Sequence, residues 1–455
     1  MRAPIFPLLV LGIALSGCTG AVRPPGTRDP LETVATRLAL PLDAEAELPV
    51  ATSAHGISRR EALQIAFREN PEIAQHTSAL GLAEADYRAA ATLSNPVAGI
   101  GTRLPADGVG VLSLEFDLMG DLLKLLQRKA RMEASGLKVE EAIFTISDAL
   151  LDFATRVDKA YFDLQAAQHR HRLLVALASA TAAEAARSQS LVAQELLDRT
   201  TALRHRILAT QADLDARRAA LEVAVARTMW ARMLARPDDE SLPLPAPELP
   251  PLPAMPSNLT SPGTLAIEHR FDLMAARKAI DARAVEHRIA LDWRWWSVLE
   301  IGTMGERDSD GQLVMGPAIN IALPVFDQGS AALMRTASEL RRAQQRTATL
   351  ALDIQQGANA AYARARALHD LAQRQHDEWL PLQSSLVEML EKQVALGFSS
   401  QFALQQARRD HLQATGLYVD ALRDYWLAEA VLRRAIGAAP SPEVGSLDPL
   451  AGGER

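Results

Sequence analysis

The sequence predicts a mainly α-helical chain that runs through one plan twice: a helix, two short extended segments and a long helical hairpin. Three observations lead there. The 455 residues align with themselves, since Glu72-Ile73 falls on Asp272-Leu273 at an offset of 200, Ala160-Tyr161 on Ala361-Tyr362 at 201, and Leu112-Ser113-Leu114 on Ile319-Asn320-Ile321 at 207. From Leu137 to Arg236 one hundred residues pass with neither glycine nor proline, which favours helix throughout. Seven prolines in the fourteen residues from Pro243 to Pro256 then forbid helix and divide the chain into halves.

Taken in order, residues 1–17 read as a secretory signal: Arg2, an apolar run from Ile5 to Leu15, then Ser16-Gly17 before Cys18. The run is shorter than the ~20 apolar residues a membrane helix needs. Cys18 is the only cysteine, so the chain closes no internal disulfide and assembles no thiolate metal site of its own. Residues 18–56, rich in Pro, Gly, Thr and Ala, read as a tether. The first repeat follows at 57–238, a Pro-rich connector at 239–260, the second repeat at 261–437 and a flexible tail at 438–455.

Each repeat opens with an Ala-rich helix, about 58–92 and 261–292. Four extended segments follow, about 97–104, 109–118, 297–304 and 313–323, near the 9–11 residues of a tilted membrane strand. Val111, Ser113 and Glu115 alternate with Leu112, Leu114 and Phe116, so one face is apolar and one polar, and Pro105-Ala106-Asp107-Gly108 and Asp308-Ser309-Asp310-Gly311 supply hairpin turns. Four strands cannot close a membrane barrel, and an open edge in lipid leaves backbone groups unpaired, so several chains must pool their strands. A helix from Asp121 to about Ala193 would be roughly 110 Å long, which demands a coiled-coil or bundle assembly. The counterpart runs from about Ser330 to Ile436, where Pro381 should kink it. Gly397, in Leu396-Gly397-Phe398-Ser399-Ser400, fits a helix-end glycine at a hairpin tip, and by the repeat the partner tip falls near Ala193-Gln194-Glu195-Leu196-Leu197-Asp198, which lacks the glycine.

A net charge of −7 leaves no basic footprint for nucleic acid. His169 and His171, two apart on a helix, point to different faces and cannot grip one ion, and no third ligand joins His369 and His376, so no metal site and no cofactor is expected. No nucleophile elbow, phosphate loop or His-Glu-x-x-His motif is present, and no catalytic residue is assigned. Asp148, Asp152, Asp158 and Asp163, with Arg156 and Lys159 nearby, read as a solvated or lumen-lining helix face. Trp293-Arg294-Trp295-Trp296, before the third strand, fits either an interfacial belt or core packing at the junction.

The order of these elements resembles the outer-membrane efflux protein family, the TolC-like channels, over about residues 57–437. Leu323-Pro324-Val325-Phe326-Asp327-Gln328-Gly329 at the strand-to-helix junction, Leu396-Gly397-Phe398-Ser399-Ser400 at the second tip, the proline connector and the Asn70-Pro71-Glu72-Ile73 and Arg270-Phe271-Asp272-Leu273 starts carry the likeness. The first junction, Phe116-Asp117-Leu118-Met119-Gly120-Asp121, departs from it by lacking the proline. Leu15-Ser16-Gly17-Cys18 resembles the bacterial lipobox, which implies lipidation of Cys18, and Thr19 in place of aspartate implies the outer membrane.

The resemblance implies a homotrimer whose twelve pooled strands close an outer-membrane barrel over a long periplasmic α-helical tunnel. It would be a passive exit duct, not an enzyme, working with a periplasmic adaptor and an inner-membrane transporter. Gly397, Phe398, Ser399, Gln194 and Glu195 would be the adaptor-docking tips, and Glu195 and Asp198 an entrance constriction. A different reading, a periplasmic coiled-coil lipoprotein acting as adaptor or scaffold, lacks an explanation for the duplicated strand pairs.

Overall fold

A computed structural model of the chain describes residues 28–40, 56–103, 112–238, 241–254, 261–307 and 312–437. The signal, Cys18, the turns at 105–108 and 308–311 and the tail lie outside the described residues. The described elements run α1 (Pro30–Arg37), α2 (Arg59–Glu69), α3 (Pro71–Ala91), β1 (Val97–Arg103), β2 (Ser113–Asp121), α4 (Leu122–Ala193) and α5 (Arg199–Leu234). Then come α6 (Pro262–His269), α7 (Phe271–Asp292), β3 (Leu299–Arg307), β4 (Leu313–Ile321), α8 (Ser330–Arg374), a π-helical segment (Gln375–Trp379), α9 (Leu380–Ala395) and α10 (Gln401–Ala435). The chain is mainly helical with one antiparallel sheet in the order β1-β2-β3-β4. No helix among the described residues is long and apolar enough to cross a membrane.

Three of the following expectations are corrected in detail, and the kink expected at Pro381 is given its form. The stretch read as an unstructured tether contains α1, whose eight residues are too few to show a period but are announced by Asp29 as N-cap and Pro30 in the first turn. The opening helix of each repeat is two helices, parted at Asn70 (ψ 122°) and at Arg270 (ψ 129°). Pro71 explains the first break, because proline disfavours helical geometry in the residue before it. At the second, the Asp272 carboxylate accepts from the Arg270 side chain at 2.9 Å and from the Leu273 backbone N–H at 2.9 Å, one of the donors that a new helix start leaves without a partner. β2 lies further along than expected and runs through Asp121, because it pairs β3 without interruption from Leu114↔Arg307 to Asp121↔Glu300. Ahead of Pro381 the helix forms a π turn over Gln375–Trp379, a widened turn that accommodates a residue with no N–H to donate.

The chain forms two compact units, and each draws on both repeats: one joins Ala79–Ile143 to Ala275–Gln345, the other joins Asp29–Ser78 and Phe144–Met274 to the described residues from Arg346 onward. In the first, Tyr87, Val139 and Ile143 form a buried cluster flanked by Leu80, Ala83 and Met132. In the second, Ala266, Leu273, Ile354, Ala358, Ala365, Ala428 and Leu432 pack together, small side chains letting the helices approach closely. Asp158 is corrected from a solvated position, for it is 5% exposed and takes Arg59 in two 2.7 Å bonds. Asp148 is partly buried against Arg434 at 2.6 Å, and burial holds its carboxyl above the ordinary range. A run of carboxylates in sequence does not distinguish a wet face from one that other elements cover.

The proline connector is a docked strap. Proline leaves its carbonyls free, and side chains from both hairpins read them one after another. Trp230 Nε1 donates to Pro243 at 2.8 Å, Gln165 Nε2 to Ala246 at 2.8 Å and Glu248 at 3.0 Å, Arg172 to Pro247 at 2.6 Å and Trp426 Nε1 to Pro250 at 3.1 Å. His369 Nε2 lies 2.9 Å from the Pro253 carbonyl, which can only accept, so that nitrogen carries the proton.

Candidate functional site

Two places carry the features that function would need, one in each unit. In the first unit the register sorts the sheet into two chemically different faces. Directly paired residues share a face, so Ile100, Phe116 and Gly305 fall together with Leu118, Ile301, Met315, Ile319 and Ile321. These side chains are largely uncovered, Ile100 at 79% and Ile319 at 62%. Phe116 lies across Gly305, where a Cβ would come within 2.4 Å of its ring, so glycine is what lets the aromatic ring lie there. The opposite face holds Glu115, Asp117, Asp121, Glu300, Glu306 and Asn320 with Arg103 as its only base among the described residues, and Val97, Met119, Met304, Val314 and Ala318 as apolar exceptions. Arg103 reaches Glu115 at 2.9 Å and Asn320 reaches Glu300 at 3.3 Å. β1 and β4 stand at the two ends of the sheet order, each with one partner strand.

In the second unit the two hairpin tips share one backbone design. Gly397 has φ +77° and Glu195 has φ +60°, both left-handed. At each tip the following N–H reaches back five residues, Leu196 to the Leu191 carbonyl at 2.9 Å and Phe398 to the Gln393 carbonyl at 2.8 Å. The next helix is then capped by a side-chain oxygen: Asp198 accepts from the Thr201 N–H at 2.8 Å and Ser400 from the Ala403 N–H at 3.2 Å. The residue beyond each left-handed position is apolar and bare, Leu196 at 70% and Phe398 at 82% exposed.

Gln194, Glu195, Gly397 and Phe398 are exposed at these turns, with Ser399 half-covered beside them. Asp198 spends both carboxylate oxygens on the cap, the second accepting from the Thr201 hydroxyl at 2.6 Å, and these bonds hold its carboxyl below the usual range. Glu195 is exposed in the turn, its backbone N–H donating to the Val192 carbonyl at 3.0 Å.

His205 joins three helices near the tips. The Ser188 hydroxyl donates to the Glu184 carbonyl at 2.9 Å, so its oxygen accepts from His205 Nδ1. The imidazole lies face to face on Phe402 of α10, 5.7 Å between centroids. Glu184 approaches the same ring nitrogen, at 3.9 Å, so serine, histidine and glutamate do not form a relay through the ring. No spacing in the sequence announces this cluster, because its members come from separate helices.

Solved structures that share this arrangement include outer-membrane channels. A membrane protein from Pseudomonas aeruginosa superposes with a TM-score of 0.70 at 16% identity, over 86% of this chain and 98% of that one. The chain has the outer-membrane channel fold. The outer-membrane channel OprN matches with a TM-score of 0.69 at 16% identity, over 92% and 98% of the two chains. The open state of the Neisseria gonorrhoeae MtrE outer-membrane channel matches at 0.65 and 17% identity, over 86% and 96%. Neither a family model nor a curated protein matches the sequence. The channel fold thus persists here at a level of identity where only the pattern of elements, and not the residues, remains alike.

Proposed function

We propose that the chain is one protomer of a homotrimeric outer-membrane exit duct, which passes cargo outward from a periplasmic adaptor and an inner-membrane transporter. The observation that carries this reading is the sheet: an uncovered apolar face, an acidic face and two end strands each with one partner. Such a sheet is unsatisfied in lipid until its edges pair, and joining β4 of one copy to β1 of the next closes it. The apolar face then meets lipid, and Glu115, Asp117, Asp121, Glu300 and Glu306 line water. The hairpin tips around Leu196 and Phe398 are the adaptor-docking surfaces, Cys18 carries the lipid, and Glu195 narrows the entrance while Asp198 shapes its turn. The test is to weigh detergent-solubilised protein by light scattering and to insert it in planar bilayers. The expected results are three times the chain mass and stepwise conductance. A stable, non-conducting monomer would overturn the duct.

A further inference from the structure

The end of the strap borders a half-open cavity of about 710 Å³ inside the second unit. Residues 251–254 form one wall, and α8 supplies another as a single helical face, with Tyr362, Arg366 and Asp370 four residues apart and His369 beside them. The π segment adds His376 and Asp377, and α10 adds Tyr418. His369 is 5% exposed, and its bond to the Pro253 carbonyl fixes the strap against α8 at the cavity's edge. A cavity of this size, with apolar walls and a few converging polar groups, has the usual build of a small-molecule site. A π turn in a long helix often accompanies one.

The charged groups on these walls sort into a closed pair and an open one. Asp377 accepts from His376 Nδ1 at 2.8 Å, which leaves Arg366 and Asp370. Asp370 stands 3.7 Å from His369 Nδ1, beyond hydrogen-bond reach. Because His369 keeps its proton on Nε2 for the strap, Nδ1 turns a lone pair toward that carboxylate and does not neutralise it. Arg366 is exposed and makes no ion pair among the described residues. An arginine and an aspartate four apart on a helix stand roughly 5–6 Å apart at Cβ and ordinarily close on each other. Here both stay open on one wall, with Leu252 and the rings of Tyr362 and Tyr418 as apolar surface around them. An extended dipeptide, at about 3.3–3.6 Å per residue, carries its ammonium and its carboxylate about that far apart.

We propose that this cavity binds a short zwitterionic peptide of about two residues, with its ammonium on Asp370, its carboxylate on Arg366 and apolar side chains against Leu252 and Tyr418. One free base and one free acid call for a ligand that carries both charges, so an amine or a carboxylate alone answers half of the site. The ligand touches the strap, α8 and α10 together and fastens the end of the connector to the second hairpin. The site goes beyond the duct reading and does not depend on it.

The experiment is equilibrium dialysis of the detergent-solubilised full chain against leucyl-leucine, N-acetyl-leucyl-leucine, which lacks the ammonium, and leucyl-leucine amide, which lacks the carboxylate. Leucyl-leucine should bind and raise the thermal unfolding midpoint, and each blocked form should bind roughly tenfold or more weakly. Asp370→Asn should bring leucyl-leucine down to the affinity of the N-acetyl form. Arg366→Gln should weaken leucyl-leucine to the same degree and leave the amide unchanged. Both side chains are exposed and without an ion-pair partner, so the two variants should keep the wild-type unfolding midpoint in the absence of peptide. No binding of leucyl-leucine at millimolar concentration, equal binding of the blocked forms, or full affinity in Asp370→Asn would overturn the site.

Discussion

Glu195 and Gly397 occupy the same backbone position at the two hairpin tips, left-handed at φ +60° and +77°. An ideal Cβ on Gly397 meets nothing within 4 Å, so the demand for glycine there is conformational and not steric. Gly397→Ala should therefore loosen the second tip by about 1 kcal/mol. Glu195→Gly should tighten the first by a similar amount. Hydrogen exchange at the Phe398 and Leu196 amides, both bonded five residues back, reads the two effects.

Phe398→Asp should leave trimer yield intact while cross-linking to the adaptor and export are lost, because the side chain is 82% exposed and no core depends on it. Leu196→Asp should do the same from the other tip. Normal export by both variants would take the tips out of the mechanism.

Asp198 gives the first tip a pH dependence. Its carboxyl is held below the ordinary value by the Thr201 side-chain and backbone bonds, so the folded state binds its proton more weakly than the unfolded chain does. The cap is therefore complete above the ordinary carboxylate range and is lost as pH falls through the lowered folded value. The protection factor of the Thr201 amide, its exchange rate set against the unfolded-chain rate at the same pH, should fall on acidification in the wild type and stay constant in Asp198→Asn across the same interval.

The order of elements was legible in the sequence because the features that set it are local: proline density marks the connector, absence of glycine marks the long helices, and period-two alternation marks the strands. The register was not. Whether β2 began at 109 or at 113 depends on its partner, and only the pairing of Phe116 with Gly305 fixes which side chains share a face. The first tip has no glycine to mark it, so in the sequence only the repeat, carried over from Gly397, points to Ala193–Asp198, and nothing in the sequence announces the left-handed turn at Glu195. The strap escaped notice as a docked element because its donors, Gln165, Trp230, His369 and Trp426, are scattered over the whole chain.

The acidic face of the sheet should make the open pore prefer cations. Replacing Glu115, Asp117, Glu300 and Glu306 with their amides keeps size and hydrogen bonding while removing charge, and the reversal potential in a salt gradient should move toward zero. Symmetrical wild-type permeability would show that these carboxylates do not line the conducting path.

Gln165→Leu should strip the donor from two strap carbonyls, Ala246 and Glu248, and cost roughly 1–3 kcal/mol. Trp426→Phe removes one donor, to Pro250, and should cost about 1 kcal/mol by the same reasoning. Thermal unfolding in detergent ranks the two.

The π turn at Gln375–Trp379 has a consequence for how the two halves stay alike. Tyr161 and Tyr362 stand 201 residues apart, yet Glu195 and Gly397, which do the same work at the tips, stand 202 apart. The second hairpin has thus gained one residue between those landmarks. In an α-helix, one extra residue swings everything beyond it by about 100° around the axis. A π turn takes up one extra residue within itself, so a surplus that would have put the halves out of phase is confined to the five residues Gln375–Trp379, and both hairpins still reach a left-handed turn at Glu195 and Gly397.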